Sequence, residues 1–217
     1  SGMRSANRPV GRRAGLPEGF VYIDRFLPDC VVDAKYAGSN NFMGRPVAGY
    51  ERPFVVASLP LALACAKAAA LLRPYGYVLK IYDAYRPQRA VDDFCRWMQD
   101  AGDDARKPLH YPNINKAEML KRGYIAGRSG HTRACAVDLT LVEAQTMEEL
   151  DMGCIFDFMD ERSHHGAPGL TPAQEANRTL LKNAMLVAGL TPLKEEWWHY
   201  SLRPEPYPET YFDFPIA

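Results

Sequence analysis

Two short segments of the sequence carry side chains that could hold a metal ion and hydrolyse an amide bond. The first contains His131 and Asp138, and the second, near the carboxyl terminus, contains Glu196 and His199. Two histidines and one carboxylate are a common ligand set for a catalytic zinc ion, and they leave one position open for water. A further glutamate beside the ion could act as the general base that hydrolysis requires. The residue types therefore favour a zinc hydrolase.

The spacing of these residues restricts the chain between them. In one strand, His131 and Asp138 would lie on opposite faces and about 23 Å apart. In one helix they would share a face but lie about 10 Å apart along the axis. Both can touch one ion only if the chain turns back, so we expect a bend over 133–135. Glu196 and His199 suit one helical face or the start of a bulged strand, and the aromatic residues between them favour the strand.

Each signal has a plainer interpretation when it is taken alone. A lone histidine beside a strand is more often a structural residue, and a Glu-x-x-His pattern is weak by itself. Cys135 could be a further soft ligand, but a small buried residue is the preferred interpretation. His164 and His165 are a rival metal pair. Because adjacent residues on a strand diverge, at most one of them is expected to line the site.

The order of the motifs resembles a known family. Ser-x-His-x(6)-Asp followed by Glu-x-x-His resembles the M15 zinc peptidases, which act on D-alanyl peptides of the bacterial cell wall. Three further segments narrow the resemblance to the D-alanyl-D-alanine dipeptidases of the VanX type, namely Asp33–Ala37, Asp83–Pro87 and Phe156–His165. The resemblance runs from about Val21 to Leu202, which is most of the chain.

The resemblance implies roles for individual residues. It implies one zinc ion per chain, held by His131, Asp138 and His199. It implies that Glu196 is the catalytic base and that Arg86 stabilises the transition state. It also implies three residues on the substrate side, namely Asp157, Ser129 and Tyr36. The family usually has glycine where this chain has Ala134, and glycine would ease a tight turn there. Alanine is the smallest change, so we expect the ligand loop to be kept with slightly different geometry.

Three of these assignments have structural alternatives. Spacing alone favours an ion pair between Arg86 and Asp83 or another carboxylate, and the motif context favours the catalytic role. Asp157 is the candidate that would hold the ammonium end of a zwitterionic dipeptide, with a helix cap or a surface acid as the alternative. Ser129 could donate to a substrate oxygen, or its hydroxyl could bond its own backbone in a turn.

Capping signals and periodicity predict the elements that must position these residues. The predicted helices are Ser58–Arg73, Pro87–Gln99, Asn115–Lys121 and Thr171–Ala188. The predicted strands are Tyr77–Tyr82, Ala134–Val142 and Glu196–Leu202. Because the elements lack a regular βαβ rhythm, we expect a single α+β domain with an antiparallel sheet flanked by helices. The resemblance implies the Hedgehog/DD-peptidase fold. The proline-rich segment 203–215 is expected to wrap the surface as irregular chain.

Composition excludes several classes of protein. The 217 residues include 26 basic and 26 acidic side chains, so the formal net charge is zero. A chain with this balance has no long-range field for nucleic acid or an acidic membrane. The most apolar run, Leu59 to Leu72, is too short to span a bilayer. Five cysteines without a C-x-x-C pattern favour a reducing compartment. We therefore expect a cytoplasmic protein, or a periplasmic one if a signal segment was removed.

The expected organisation is a mobile N-terminal arm over residues 1–19, which includes the cloning remnant Ser1-Gly2-Met3, and a zinc dipeptidase domain over 20–217. The expected reaction is zinc-dependent hydrolysis of D-Ala-D-Ala, in removal of a cell-wall precursor or in catabolism. Two alternatives stay open. One is a D,D-carboxypeptidase or wall endopeptidase of the same superfamily, and the other is a catalytically inert metal-binding module. The expected partner is a small D,D-dipeptide, with no nucleic acid and no membrane, and the sequence does not indicate an oligomeric state.

Overall fold

The computed structural model describes residues 12–217. Its strands are β1 (Phe20–Tyr22), β2 (Val31–Val32), β3 (Val56–Ser58), β4 (Tyr77–Asp83), β5 (Ala136–Glu143), β6 (Leu190–Leu193) and β7 (Glu196–Leu202). Its α-helices are α1 (Ile23–Phe26), α2 (Leu59–Leu72), α3 (Gln88–Gln99), α4 (Lys107–His110), α5 (Lys116–Lys121) and α6 (Pro172–Val187). The predicted helices and strands are confirmed with boundaries that differ by one or two residues.

The main sheet has five strands in the order β2–β4–β5–β7–β6, and β1 and β3 form a separate antiparallel pair. The neighbours from β4 to β6 are antiparallel, whereas the short edge strand β2 runs parallel to β4. The α+β class and the flanked, mainly antiparallel sheet are therefore confirmed, with one parallel edge pair in addition.

Local sequence signals explain where the long helices begin and end. The Ser58 hydroxyl caps α2 by accepting a hydrogen bond from the backbone N–H of Leu61. Thr171 and Gln174 form a reciprocal capping box at the start of α6. After α6 the chain passes through Gly189 with φ of 90°, a left-handed conformation that glycine adopts without strain. Helices α2 and α6 pack against each other and against the sheet.

Both ends of the described chain contact the body of the molecule. Arg13 forms a two-point ion pair with Asp24, with nitrogen–oxygen distances of 2.8 and 2.6 Å. The backbone N–H of Ala14 donates to the carbonyl oxygen of Ala217 at 2.9 Å. Residues 1–11 of the predicted arm lie outside the described residues, and the boundary at residue 19 stays a prediction. Segment 203–215 contains no helix or strand, as predicted.

Among the described residues, none of the helices combines the length and the apolar character that crossing a membrane would need.

Candidate active site

Three adjacent strands place polar residues side by side at one point of the sheet. Asp138 of β5 lies opposite His199 of β7 on one side and opposite Asp83 of β4 on the other. A β-bulge between Ile81 and Asp83 shifts the register there. Asp138 is hydrogen-bonded to His199, and ring nitrogens of His131 lie 3.7 Å from Asp83 and 3.1 Å from Asp138. Asp83 and Asp138 are almost completely buried. Burying two carboxylates costs free energy unless cations or hydrogen-bond donors surround them. These three residues therefore indicate a functional site.

The predicted bend brings His131 to the same point. The carbonyl oxygens of Ser129, Gly130 and His131 accept backbone hydrogen bonds from residues 132–135, which reverse the chain. Ala134 sits at the tightest point with φ of 62°, a left-handed conformation that favours glycine. The bend therefore forms with alanine at its left-handed position.

The side chains of His131, Asp138 and His199 converge on one spot. Nε2 of His131 lies 3.1 Å from Oδ1 of Asp138, and Nδ1 of His199 lies 3.0 Å from the same oxygen. The three ligand atoms lie within 4.8 Å of one another. Ligand atoms around a tetrahedral zinc ion with bonds of about 2 Å lie on the order of 3.3 Å apart. The donor set and its spacing therefore fit such an ion.

Hydrogen bonds behind the two histidines fix which ring nitrogen faces the site. Nδ1 of His131 donates to the carbonyl oxygen of Ala84 at 2.7 Å, so Nε2 faces Asp138 and would offer its lone pair to a metal ion when the ring is neutral. Nε2 of His199 lies 3.3 Å from the Ser201 hydroxyl, which leaves Nδ1 facing Asp138. Although burial alone would raise it, the neighbouring histidines hold the pKa of Asp138 well below its ordinary value.

Glu196 lies at the start of β7, where the register with β6 shifts between Pro192 and Leu193. This irregularity lets Glu196 and His199 line one cavity although they are three residues apart in a strand. Oε1 of Glu196 lies 3.9 Å from Nδ1 of His199. Burial, with the charges of Asp138 and Asp157, raises the pKa of Glu196 to about 8 against the opposing effect of His199. A cation at the neighbouring ligands would lower this pKa and favour the carboxylate form.

Arg86 forms the ion pair with Asp83 that its spacing favoured, and it also lines the cavity. Its Nε and Nη2 both lie 3.0 Å from Oδ2 of Asp83, and Nη2 also lies 3.5 Å from Oδ2 of Asp138. The Tyr50 hydroxyl donates to the other oxygen of Asp83 at 2.6 Å. The guanidinium packs over the Tyr36 and Phe94 rings, 5.3 and 5.0 Å from their centres. The ion pair thus fixes Arg86 in the cavity wall.

Asp157 is buried beside Tyr36, whose hydroxyl donates a short hydrogen bond to Oδ2 of Asp157. The backbone of Asp157 has φ of 58°, which is uncommon for a non-glycine residue. Burial, with the nearby charge of Asp138, raises the pKa of Asp157 to about 8. This carboxyl is therefore neither a surface acid nor a helix cap.

We expect the unfolding free energy of metal-free Asp157→Asn protein to depend less on pH than that of the wild type between about pH 4 and 8. An ordinary aspartate titrates near pH 3.9, whereas burial raises the pKa of Asp157 to about 8. Between these values the unfolded chain releases a proton that the folded chain keeps. Wild-type stability therefore falls as pH rises, by up to about 1.4 kcal/mol per unit from this group. Denaturant unfolding at several pH values measures the slope of unfolding free energy against pH for both proteins. Equal slopes would contradict the raised pKa of Asp157.

A cavity of about 210 Å³ collects every residue of the sequence-predicted site. Its walls include Tyr36, Arg86, Ser129, His131, Asp138, Asp157, Glu196 and His199. The Ser129 hydroxyl accepts a hydrogen bond from the backbone N–H of His131 at 3.1 Å, which is the turn interaction weighed above, and its own proton stays available as a donor. The volume lies below the usual range of about 300–1,000 Å³ for drug-sized ligands, so a small ligand fits better.

Several polar residues that the sequence singled out lie outside this cavity. Cys135 is buried and does not join the metal-binding group, in agreement with the preferred interpretation. His164 and His165 do not line the cavity, and Nε2 of His164 lies 3.1 Å from the hydroxyl of Tyr124, which does.

Sequence reasoning missed the residues that support the site from behind. Tyr50 holds Asp83, Ser201 faces the outer nitrogen of His199, and Nδ1 of His110 lies 3.0 Å from the backbone oxygen of Asp157. Nothing in the spacing of these residues along the sequence indicated these contacts.

Comparison with known proteins matches this chain to one family. The family model described as "D-ala-D-ala dipeptidase", within the M15 peptidases, matches residues 17–217. The chain is 45% identical over 198 residues to the D-alanyl-D-alanine dipeptidase of Enterococcus faecium, covering 91% of this chain and 98% of that one. It is 46% identical over 198 residues to that of Streptomyces coelicolor, with the same coverage. It is 33% identical over 176 residues to that of Escherichia coli, covering 81% and 80%.

A solved structure of the vancomycin-resistance D,D-pentapeptidase VanY in complex with Zn(II) gives a TM-score of 0.39 at 13% identity. The match covers 68% of this chain and 72% of that one. This likeness is too remote to add to the sequence relationships.

Proposed function

The chain belongs to the D-Ala-D-Ala dipeptidase family of the M15 peptidases, and we propose that it hydrolyses D-Ala-D-Ala with one zinc ion held by His131, Asp138 and His199. The observation that carries the proposal is the convergence of these three residues with Glu196 and Arg86 in one cavity of about 210 Å³. An inert metal-binding module would have no need of the last two residues in that place.

Glu196 is the general base in this proposal. A zinc ion at the three ligands would lower the pKa of a water molecule and polarise the scissile carbonyl group. Glu196, 3.9 Å from the nearest ligand nitrogen, is close enough to accept the proton of the attacking water. The same carboxyl then returns the proton to the nitrogen of the leaving D-alanine. One residue can thus serve both steps.

Arg86 stabilises the charge that develops on the substrate. Attack at the carbonyl carbon moves negative charge onto the carbonyl oxygen, and a fixed guanidinium can donate hydrogen bonds to it. Arg86 is held by Asp83 and by the aromatic rings beneath it, so little reorganisation is needed during the reaction.

Asp157 and Tyr36 bind the amino end of the dipeptide. A free dipeptide is a zwitterion, and a buried carboxyl with a raised pKa would ionise when an ammonium group lies beside it. Ser129 donates to a substrate oxygen. Because Asp157 is a buried carboxyl in the cavity wall, a longer peptide would have to place an uncharged amide against it, which is unfavourable.

We expect D-alanine release from D-Ala-D-Ala to fall to background after treatment with a chelator and to return with about one equivalent of added zinc per chain. The reason is that the proposed hydrolysis needs a Lewis-acidic metal ion at the three ligand residues. Colorimetric assay of free D-alanine together with metal analysis measures both quantities. Full activity in metal-free protein would contradict the zinc assignment.

Substrate length separates this reaction from that of a D,D-carboxypeptidase or wall endopeptidase. We expect N-acetyl-D-Ala-D-Ala and D-Ala-D-Ala-terminated pentapeptides to be hydrolysed with kcat/KM at least about 100-fold lower than the free dipeptide, because they lack its ammonium group at Asp157. Comparable rates for dipeptide and pentapeptide would favour the carboxypeptidase. Five cysteines without a C-x-x-C pattern favour a reducing compartment, so we place the reaction in the cytoplasm.

A further inference from the structure

Among the described residues, two arginines line the catalytic cavity, and their surroundings differ. Arg86 is mostly buried, and its nitrogens lie 3.0 Å from Asp83 and 3.5 Å from Asp138. Its positive charge is therefore balanced inside the protein. Arg128 is exposed, and no carboxylate of residues 12–217 lies within ion-pair distance of it. Arg128 is thus the cation of this cavity wall whose charge is left for a ligand.

Arg128 is held in place by an aromatic ring. Its guanidinium carbon lies 5.0 Å from the centre of the Tyr211 ring. The Tyr211 hydroxyl accepts a hydrogen bond from Nη1 of Arg133 at 3.0 Å, and Nε of Arg133 donates to Glu205 at 2.7 Å. Stacking uses the face of a guanidinium group and leaves the N–H groups in its plane free to donate. Arg128 is therefore positioned without being neutralised.

Further hydrogen-bond donors follow Arg128 along the chain. The Ser129 hydroxyl accepts from the backbone N–H of His131, so its own proton is available. The backbone N–H groups of Ser129 and Gly130 donate to no acceptor within residues 12–217. Both residues line the catalytic cavity. Successive backbone N–H groups beside a cation are typical of a site that binds an anion.

The proposed substrate has one charged group that the residues discussed so far do not bind. Asp157 would bind its ammonium group, and Arg86 would stabilise the charge on the scissile carbonyl oxygen. The free carboxylate of an extended dipeptide lies about 7 Å from the ammonium group, on the far side of the scissile bond. Because Arg86 is committed to Asp83 and Asp138, the carboxylate needs another cation. In the described lining of this cavity that cation is Arg128.

We propose that Arg128 binds the C-terminal carboxylate of the dipeptide and makes the enzyme selective for substrates with a free carboxyl end. The inference rests on the proposed hydrolysis of D-Ala-D-Ala and names the group that recognises its second residue. A guanidinium group can donate two parallel hydrogen bonds to a carboxylate, and the Ser129 hydroxyl would add another. A substrate that is amidated or extended at this end would lose the charge that Arg128 binds. Asp157 and Arg128 would then limit the substrate at its two ends.

The test compares D-Ala-D-Ala with D-alanyl-D-alaninamide on the zinc-loaded protein. The amide keeps the ammonium group and the scissile bond but lacks the carboxylate, and hydrolysis of either substrate releases free D-alanine. We expect the wild type to prefer the acid, measured as the ratio of the two kcat/KM values. Arg128→Gln should lower this preference at least about tenfold. The loss for the acid should appear in KM more than in kcat, because the contact is made in the ground state as well.

Two further variants separate the charge of Arg128 from its packing. Arg128→Lys keeps a cation at this position and should keep the preference for the acid within about fivefold of the wild type. Arg122 offers a matched control, because it is an exposed arginine that pairs with Glu118 at 3.0 Å and does not line the cavity. Arg122→Gln should leave both kcat/KM values within about twofold of the wild type.

The outcomes separate this inference from the proposed function. An active wild type whose preference for the acid is unchanged in Arg128→Gln would overturn the inference and leave the proposed function standing. Equal losses for acid and amide in Arg128→Gln would also overturn it, because the side chain would then act without contacting the carboxylate. A wild type that does not hydrolyse D-Ala-D-Ala would contradict the proposed function, and the inference with it.

Discussion

A Glu196→Gln variant is expected to hydrolyse D-Ala-D-Ala with kcat about 10³-fold lower than the wild type while it binds the same amount of zinc. Glutamine keeps the shape of the side chain and removes the group that accepts the proton of the attacking water. The proposed metal ligands are His131, Asp138 and His199, so the ion should stay bound. Steady-state kinetics together with metal analysis measures both properties in the same preparation.

Glu195 offers a matched control for this substitution. It is the preceding residue on the same chain segment and does not line the catalytic cavity. Glu195→Gln should leave kcat within about twofold of the wild type, as is usual for surface substitutions away from a site. Retention of full activity by Glu196→Gln would contradict its role as the general base, and a parallel loss of zinc would reassign Glu196 to metal binding.

Arg86→Lys is expected to lower kcat by about 10²–10³-fold, although the positive charge is kept. The planar guanidinium of Arg86 contacts Asp83 and reaches Asp138 at the same time. A lysine ammonium is a single point charge and cannot keep this orientation while donating to a developing oxyanion. The loss should appear in kcat more than in KM, because the interaction is made in the transition state.

Arg89→Lys is the matched control, because Arg89 is a partly exposed arginine at the start of α3 that pairs with Asp213. Its substitution should leave kcat nearly unchanged. Thermal unfolding of Arg86→Lys separates catalysis from folding, since Arg86 also neutralises buried carboxylates. An Arg86→Lys enzyme with normal kcat would restrict Arg86 to the structural ion pair with Asp83.

The sequence predicted the helices that begin with capping residues and the strands that are rich in apolar and aromatic residues. Thr171 and Gln174 cap α6 by contacts within four residues, and Ser58 does the same for α2. Strands β4, β5 and β7 were predictable because their apolar and aromatic content is high over seven or eight residues. These signals are local, so they can be recognised without knowledge of the rest of the chain.

The short elements were not predictable for a physical reason. β1 and β3 have three residues each and are strands only because they pair with each other across more than thirty residues. β2 has two residues and runs parallel to β4 at the edge of the sheet. No pattern of two or three residues distinguishes such pairing from an irregular segment.

The sequence predicted residues that the fold brings to one cavity, but it predicted only part of their geometry. The bend before Asp138 followed from the seven-residue spacing, and Ala134 adopts the left-handed backbone that the bend requires. By contrast, the supporting contacts of Tyr50 and His110 join segments that are 33 and 47 residues apart. Such contacts depend on the three-dimensional fold, so a single sequence contains no local signal for them.

The crowding of Asp83, Asp138, Asp157 and Glu196 around Arg86 has a consequence beyond catalysis. Folding brings these acids together and out of water, which opposes the native state, and a bound divalent cation offsets that repulsion. The balance between folded and unfolded chains is then linked by mass action to the free cation concentration. In a cell short of zinc the chain would be more fragile as well as inactive, and proteases would remove it sooner. Metal supply would thereby set the abundance of this protein as well as its turnover rate.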